Sequence, residues 1–378
     1  MHVQHRKRAV ILTAFLFFTI SSEIYPGFLS FNERCLWVVR STMQKRESID
    51  QMIEFAKNNG FNHILVQVRG RGDALYNSKL VPRSELLEDT VFDPLYYVIR
   101  KAHQNGLKVH AWMNVYLIWS KTILPNSQNH VLNSHPEWID KNGNEFTSLF
   151  KTDNKIDGEG YYLAPHHPEV KKHLLSVFRE ISALYDIDGL HLDYIRFHDN
   201  EYGNNSEAKA TYYQKLYHNR KPLFNNNDVG TNREWDNFRK ASITELLNDT
   251  KQMLKEVRPD CILSAAVKPN VLDAKNRYFQ EWDYWLAAGY LDWVIPMNYT
   301  PDLREFADNI NLIYENLPKK YRNRIIMGIA LYNQPPLDAV DKIYYSEITR
   351  FKGISFFSYN VIATQPTYFK TLKHSQKY

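Results

Sequence analysis

Cysteine is nearly absent: Cys35 and Cys261 are the only two in 378 residues. They form no CxxC pair and have no histidine-rich neighbourhood, so nothing supports a structural zinc site or a disulfide framework. Both thiols fall on segments that the pattern below places far apart, and they are expected unpaired and half-buried. No Gly-x-Ser-x-Gly elbow occurs, which argues against a serine hydrolase. No glycine-rich phosphate turn follows the first apolar run, as an open nucleotide-binding sheet would usually carry. Basic runs interleaved with aromatics are missing too. Arg6, Lys7 and Arg8 alone supply three of the formal net charge of +5, so no nucleic-acid partner is implied. The histidines show no metal-ligand spacing, and neither a metal nor a cofactor is expected. The apolar run 9–20 follows three basic residues and precedes Ser21-Ser22-Glu23. It is short for a transmembrane helix and reads as an export signal within residues 1–25. An uncleaved anchor, tethering the chain to a membrane, is the alternative. The expected location is periplasmic, extracellular, or membrane-anchored and facing outward.

What the chain has in quantity is aromatic surface, with 8 Trp, 25 Tyr and 20 Phe. Such a content suits stacking on flat or sugar-like ligands, and it is also ordinary core material. Eight short apolar runs are visible, at 36–40, 63–69, 107–114, 186–196, 261–268, 291–299, 325–330 and 354–359. Helical stripes lie between them. Ile49, Met52, Ile53 and Ala56 recur at helical spacing, and Asp93 with Pro94 marks a helix start that Gly106 ends. Strands alternating with helices predict a (β/α)8 TIM barrel over residues 33–375. Long loops follow strand 3 (115–166) and strand 4 (197–232).

The stretch 186–196 organises this reading. On a strand, Leu190 and Leu192 point one way and Gly189, His191 and Asp193 the other. Asp193 falls where the apolar run stops, at the carboxyl end, which carries the chemistry of such barrels. A cap on the following loop, or a pair with Arg196, is the plainer reading of the same carboxylate. Alternation makes Arg69, Asn114, Asp193, Lys268 and Asn298 the last inward residues of five strands, with Tyr299, Tyr332 and Tyr359 close by. Five strands thus deliver polar groups to one rim.

Cleaving a glycosidic bond needs an acid for the leaving oxygen and a carboxylate for the sugar cation. Asp193 is the first candidate. Asp73 is preferred for the second, with Asp302, Glu145, Glu159 and Glu201 left open. Asp188 and Asp292 begin their strands and belong to the barrel bottom.

The segments Gln67-Val68-Arg69, Gly72-Asp73-Ala74-Leu75-Tyr76-Asn77-Ser78 and Phe92-Asp93-Pro94-Leu95 resemble the glycosyl hydrolase-like 10 family. So do Ala102–Asn114, His135-Pro136-Glu137-Trp138, Asp188–Tyr194 and Trp293–Tyr299. The likeness covers roughly residues 34–335. It implies an exported TIM barrel acting on polysaccharide or cell-envelope glycans. Many relatives carry two adjacent Asp before Tyr-Phe-Tyr-Pro after strand 4, whereas Asp193-Tyr194-Ile195-Arg196 keeps only the first. Strands 4 and 6 also look like those of chitinases, but Ile195 holds the position of the chitinase glutamate. That mechanism is not available here.

The expected function is therefore a glycoside hydrolase cleaving O-glycosidic bonds by carboxylate acid/base chemistry, with Asp193 and Asp73 catalytic. Arg69, His110, Trp112, Asn114, His191, Tyr194, Arg196, Lys268, Asn298 and Tyr299 are expected to bind a polysaccharide or oligosaccharide. The rival is a glycan-binding barrel without catalysis. A third reading is a metal-dependent hydrolase built on His110, His191 and Asp193.

Overall fold

The computed structural model of the chain describes residues 27–142, 159–218 and 229–374. The export-signal segment 1–25 and Glu145 lie outside the described residues. Among the described residues no helix is long and apolar enough to cross a membrane.

Eight parallel strands form the centre. They are β1 (Glu33–Val38), β2 (His63–Arg69), β3 (Lys108–Asn114), β4 (Gly189–Asp193), β5 (Ile262–Val267), β6 (Trp293–Pro296), β7 (Ile326–Ala330) and β8 (Gly353–Phe357). Each pairs with its neighbours in chain order, and β8 returns to β1. Bridges from Val294 to Ile325 and from Met297 to Gly328 join β6 to β7. The sheet is a (β/α)8 TIM barrel.

Local chemistry sets the outer ring. Asp93 caps the helix Pro94–Gln104 by accepting from the Tyr96 amide at 3.0 Å, and proline fills the first position. The helix Pro168–Leu184 buries Val170, Leu174, Val177, Phe178 and Ile181 against the strands feeding the site. Outward strand residues such as Leu190 and Leu192 join these helices in the main core. A second cluster fills the barrel, with Cys35, Trp37, Leu65, Trp112, Ala266, Trp293, Ile295 and Ile326. Cys35 and Cys261 are free and fully buried rather than half-buried. One faces the interior and the other the helical shell, so they have no route to each other.

Gly189 is required by close approach. A Cβ there would stand 2.0 Å from His110 Nδ1. The His110 ring is itself held, with Nε2 2.8 Å from His63 Nδ1, while His63 Nε2 lies 2.7 Å from Glu33 Oε2.

Two of the alternation assignments fail. A bulge between Gln67 and Arg69 shifts the register of β2 against β3. Gln67 then stays on the Asn114 side, while Arg69 turns to the carbonyl oxygens of Asn114 and Val115 and to the field of Tyr76. In β6 both faces are apolar, so the sequence carries no mark of which one points inward. Trp293, Ile295 and Met297 join the interior cluster, which sends Asn298 outward.

Candidate active site

Asp193 ends β4, 5% exposed, at the level of Asn114 on β3. Its Oδ1 accepts from the amide of Tyr194 at 2.7 Å, and Oδ2 from Trp112 Nε1 at 3.2 Å. Tyr194 adopts a left-handed backbone, φ 53°, rare for a bulky residue and the kind of strain that gathers at working sites. Burial pushes the Asp193 carboxyl above its ordinary range. Arg196 and the two hydrogen bonds oppose that shift, and the charge of Glu159 adds to it.

Glu159 comes from the loop after β3, just before the short strand Tyr161–Tyr162, which pairs with Leu117–Trp119. Arg196 Nη2 donates to its Oε2 at 3.1 Å, and the Tyr162 hydroxyl donates to the same oxygen at 2.5 Å. Burial would raise this carboxyl. The Arg196 charge and the Tyr162 hydrogen bond outweigh burial and hold it below the usual range, with help from Lys268. The site therefore contains two carboxyls whose surroundings drive them in opposite directions.

Arg196 links them. It is 2% exposed and lies 4.4 Å over the Tyr194 ring. Its Nε and Nη1, like the buried Tyr299 hydroxyl, have no hydrogen-bond partner among the described residues. Lys268 directly follows β5 on the inward side, its ammonium 4.5 Å over Tyr278 and in the field of both Arg196 and Glu159. Phe357 forms an aromatic floor with Trp37, Trp112, Tyr299 and Tyr332, at centroid separations of 5.9, 6.3, 5.4 and 6.1 Å. Tyr332 stands exposed at the rim.

Of the residues singled out in the sequence, the structure gathers Asp193, Trp112, Tyr194, Arg196, Lys268 and Tyr299. Asn114 sits beside them, its amide occupied by Gly70 O and Gln67. Others lie elsewhere. Asp73 accepts from the amide of Arg71 and the hydroxyl of Ser84, in a separate cleft over β1 and β2. Arg69 is turned away by the bulge. His110 belongs to the foot of the barrel with His63 and Glu33, so the trio of the metal reading is not assembled. Among the described residues no group of three or more His, Cys, Asp or Glu is placed to hold a metal. His191 lies one layer beneath Asp193, with Nδ1 2.8 Å from Ser264 Oγ and its ring edge-on to Trp37. Burial pushes it down to about 3. Asn298 donates to Phe306 O at 3.0 Å and accepts from Asn309, fastening β6 to the helix Leu303–Asn316. Tyr359 packs on Phe55, a helix residue outside the barrel. Asp302 caps the helix it precedes. Asp188 bonds His103 and the Val109 amide, and Asp292 bonds Lys251 and the Leu263 amide. In the sequence Glu159 stood only among several loop acids, and its one signal was the tyrosine pair next to it.

The family described as "Glycosyl hydrolase-like 10" matches across residues 25–346. Similar curated proteins include the glycosyl hydrolase DigH of Escherichia coli (strain K12). It is 26% identical over 324 residues, which are 78% of this chain and 67% of DigH. The glycosyl hydrolase YngK of Bacillus subtilis (strain 168) is 26% identical over 278 residues, 68% of this chain and 49% of YngK. This chain thus spans about half of the latter. Among solved structures, the PgaB (BpsB) glycoside hydrolase domain from Bordetella bronchiseptica superposes with a TM-score of 0.69. The identity is 14%, over 92% of this chain and 99% of that domain. The catalytic domain of β-amylase from Paenibacillus polymyxa gives 0.54 at 12% identity, over 89% and 93%. At such identities the likeness concerns the fold alone.

Proposed function

The chain belongs to the glycosyl hydrolase-like 10 family, and from that premise we propose that it hydrolyses O-glycosidic bonds with Asp193 and Glu159 as its two carboxyls. The observation that carries the reading is the buried Asp193 and the Arg196-held Glu159, with their proton affinities pushed apart. Such a pair assigns an acid and a base on one site. Asp193, protonated, gives its proton to the leaving glycosidic oxygen as the C–O bond breaks. Glu159, ionised, stabilises the developing sugar cation and takes the proton of the water that completes hydrolysis; or it attacks the sugar itself, and Asp193, now ionised, takes the proton of the water that breaks the resulting ester bond. Arg196 Nη1 and the Tyr299 hydroxyl are buried without a hydrogen-bond partner among the described residues, and the exposed Tyr332 at the rim offers a stacking face to a sugar. Glu159 replaces Asp73 as the second carboxyl. The substrate is an extracellular or cell-envelope polysaccharide, reached by an exported protein.

The test is product release from a panel of bacterial envelope glycans, comparing wild type with Asp193→Asn and Glu159→Gln. Cleavage by the wild type, falling at least about a hundredfold in each variant with unfolding temperatures unchanged, is the expected result. Undiminished cleavage by either variant removes that residue from the mechanism. Saturable glycan binding with no product over long incubation makes the barrel a recognition module instead.

A further inference from the structure

The cleft around Asp73 has a chemistry of its own. It is a narrow cleft, about 30 Å³, at the carboxyl rim over β1 and β2. Arg40, Arg71, Arg83 and Lys121 line it, against Asp73 and Glu85. Cations therefore exceed anions, and among the described residues no ion pair joins the two sets: the Asp73 oxygens are taken by the Arg71 amide and Ser84. Glu85 accepts from the Asn126 amide. Arg83 is spent on the carbonyl oxygens of Asp89 and Phe92. Arg71 gives Nε to Ser120 at 2.8 Å and keeps the rest of its fork. The Arg40 guanidinium has no hydrogen bond to the described protein. It rests against Gly70, where a Cβ would meet its Nη1 at 2.9 Å. Arg40 lies in the field of Arg71, and the Asp73 charge acts on both guanidiniums. Two unpaired, half-buried guanidiniums side by side form a poor structural device and a good receptor for an oxyanion.

The cleft also connects to the active site. The Arg40 amide donates to Gln67, Gln67 donates to Asn114, and Asn114 pairs in register with Asp193. Three strand spacings separate β1 from β4, roughly 14 Å along the sheet, within reach of one oligosaccharide crossing the rim. Resting on the glycosidase reading for its substrate, we propose that Arg40, Arg71 and Lys121 form a subsite that binds a carboxylate substituent of the glycan. The protein then prefers an acidic polysaccharide to a neutral one.

The test is calorimetric titration of the full chain with a uronic-acid trisaccharide and with its carboxyl-reduced counterpart. The acidic sugar is expected to bind at least about tenfold more tightly, the scale of one charge-assisted contact, and the preference is expected to weaken with salt. Arg40→Gln and Arg71→Gln should bring the two sugars within about twofold. Lys121→Gln, on an exposed side chain, should lose part of the preference with no effect on folding. Equal binding of the two sugars by the wild type, no binding of either, or a preference that survives all three substitutions overturns the subsite. Acid preference without cleavage of any glycan leaves the subsite standing and sinks the glycosidase. Cleavage without acid preference does the reverse.

Discussion

Asp193 and Glu159 show how one residue's surroundings set another's chemistry. Glu159's negative charge helps keep the Asp193 proton on, while Arg196 works to remove it. In the proposed mechanism Asp193 acts as the acid, so activity is lost as pH rises through its value. That loss is the alkaline limb of the kcat/KM profile. Replacing Glu159 by glutamine removes the like charge, and the limb of the residual activity is expected to move to lower pH. A limb that stays in place would show that Glu159 does not act on the acid. Arg69 makes the opposite point. A guanidinium in an apolar strand looked like a sugar-binding group, yet one bulge turned it into a backbone clamp.

At the scale of elements, the loops after β3 and β4 are tied into one unit. Asp140 in the first accepts from the Gly203 amide in the second at 3.1 Å. Asn205 donates back to Glu137 O and Ile139 O at 2.6 and 3.0 Å. Arg239, on the long helix Val229–Val257, holds Asn200 O and Tyr202 O. Burial pushes the Asp140 carboxyl up to about 7, and one of its oxygens has no partner among the described residues. The folded state then holds this proton more tightly than the unfolded chain, whose value is near 3.9. The contribution is whole below that pH and is lost as pH rises through about 7. Asp140→Asn should therefore gain stability relative to wild type between pH 5 and pH 8, by at least about 1 kcal/mol. Thermal unfolding at the two pH values measures it, and an equal difference at both would rule out a titrating latch.

At the scale of the whole molecule, six histidines among the described residues are held low by burial: His110, His130, His166, His173, His191 and His198. His166 and His191 are pushed down to about 3 and His173 to about 4, and His110 also lies well below its ordinary value. Each stays neutral in the fold and takes up a proton on unfolding once pH drops below about 6.5, so stability is lost as pH falls through that window. Asp140 and Asp193 act in the other direction, two groups against six. Glu33 adds a loss at lower pH, since its bond to His63 holds it down to about 2. The unfolding temperature is expected to fall steadily from pH 7 to pH 4. A rise over that interval would mean that the carboxyls outweigh the histidines.

The amino-acid order alone determined the barrel, because period-two and period-3.6 patterns record which side of each element is buried. It marked Asp193, a carboxylate closing an apolar strand at the carboxyl end of the barrel. Three of the five rim positions read by alternation, Asn114, Asp193 and Lys268, lie on the interior side. Only the tertiary structure decided the other two. A bulge in β2 and the doubly apolar β6 leave no periodic trace of their facing. Nor does the sequence reveal that Glu159 meets Arg196, 37 residues along the chain. Periodicity describes an element against its own neighbours, whereas a carboxylate in a long loop acquires its partner, its field and its proton affinity only when the loop is folded over the barrel mouth.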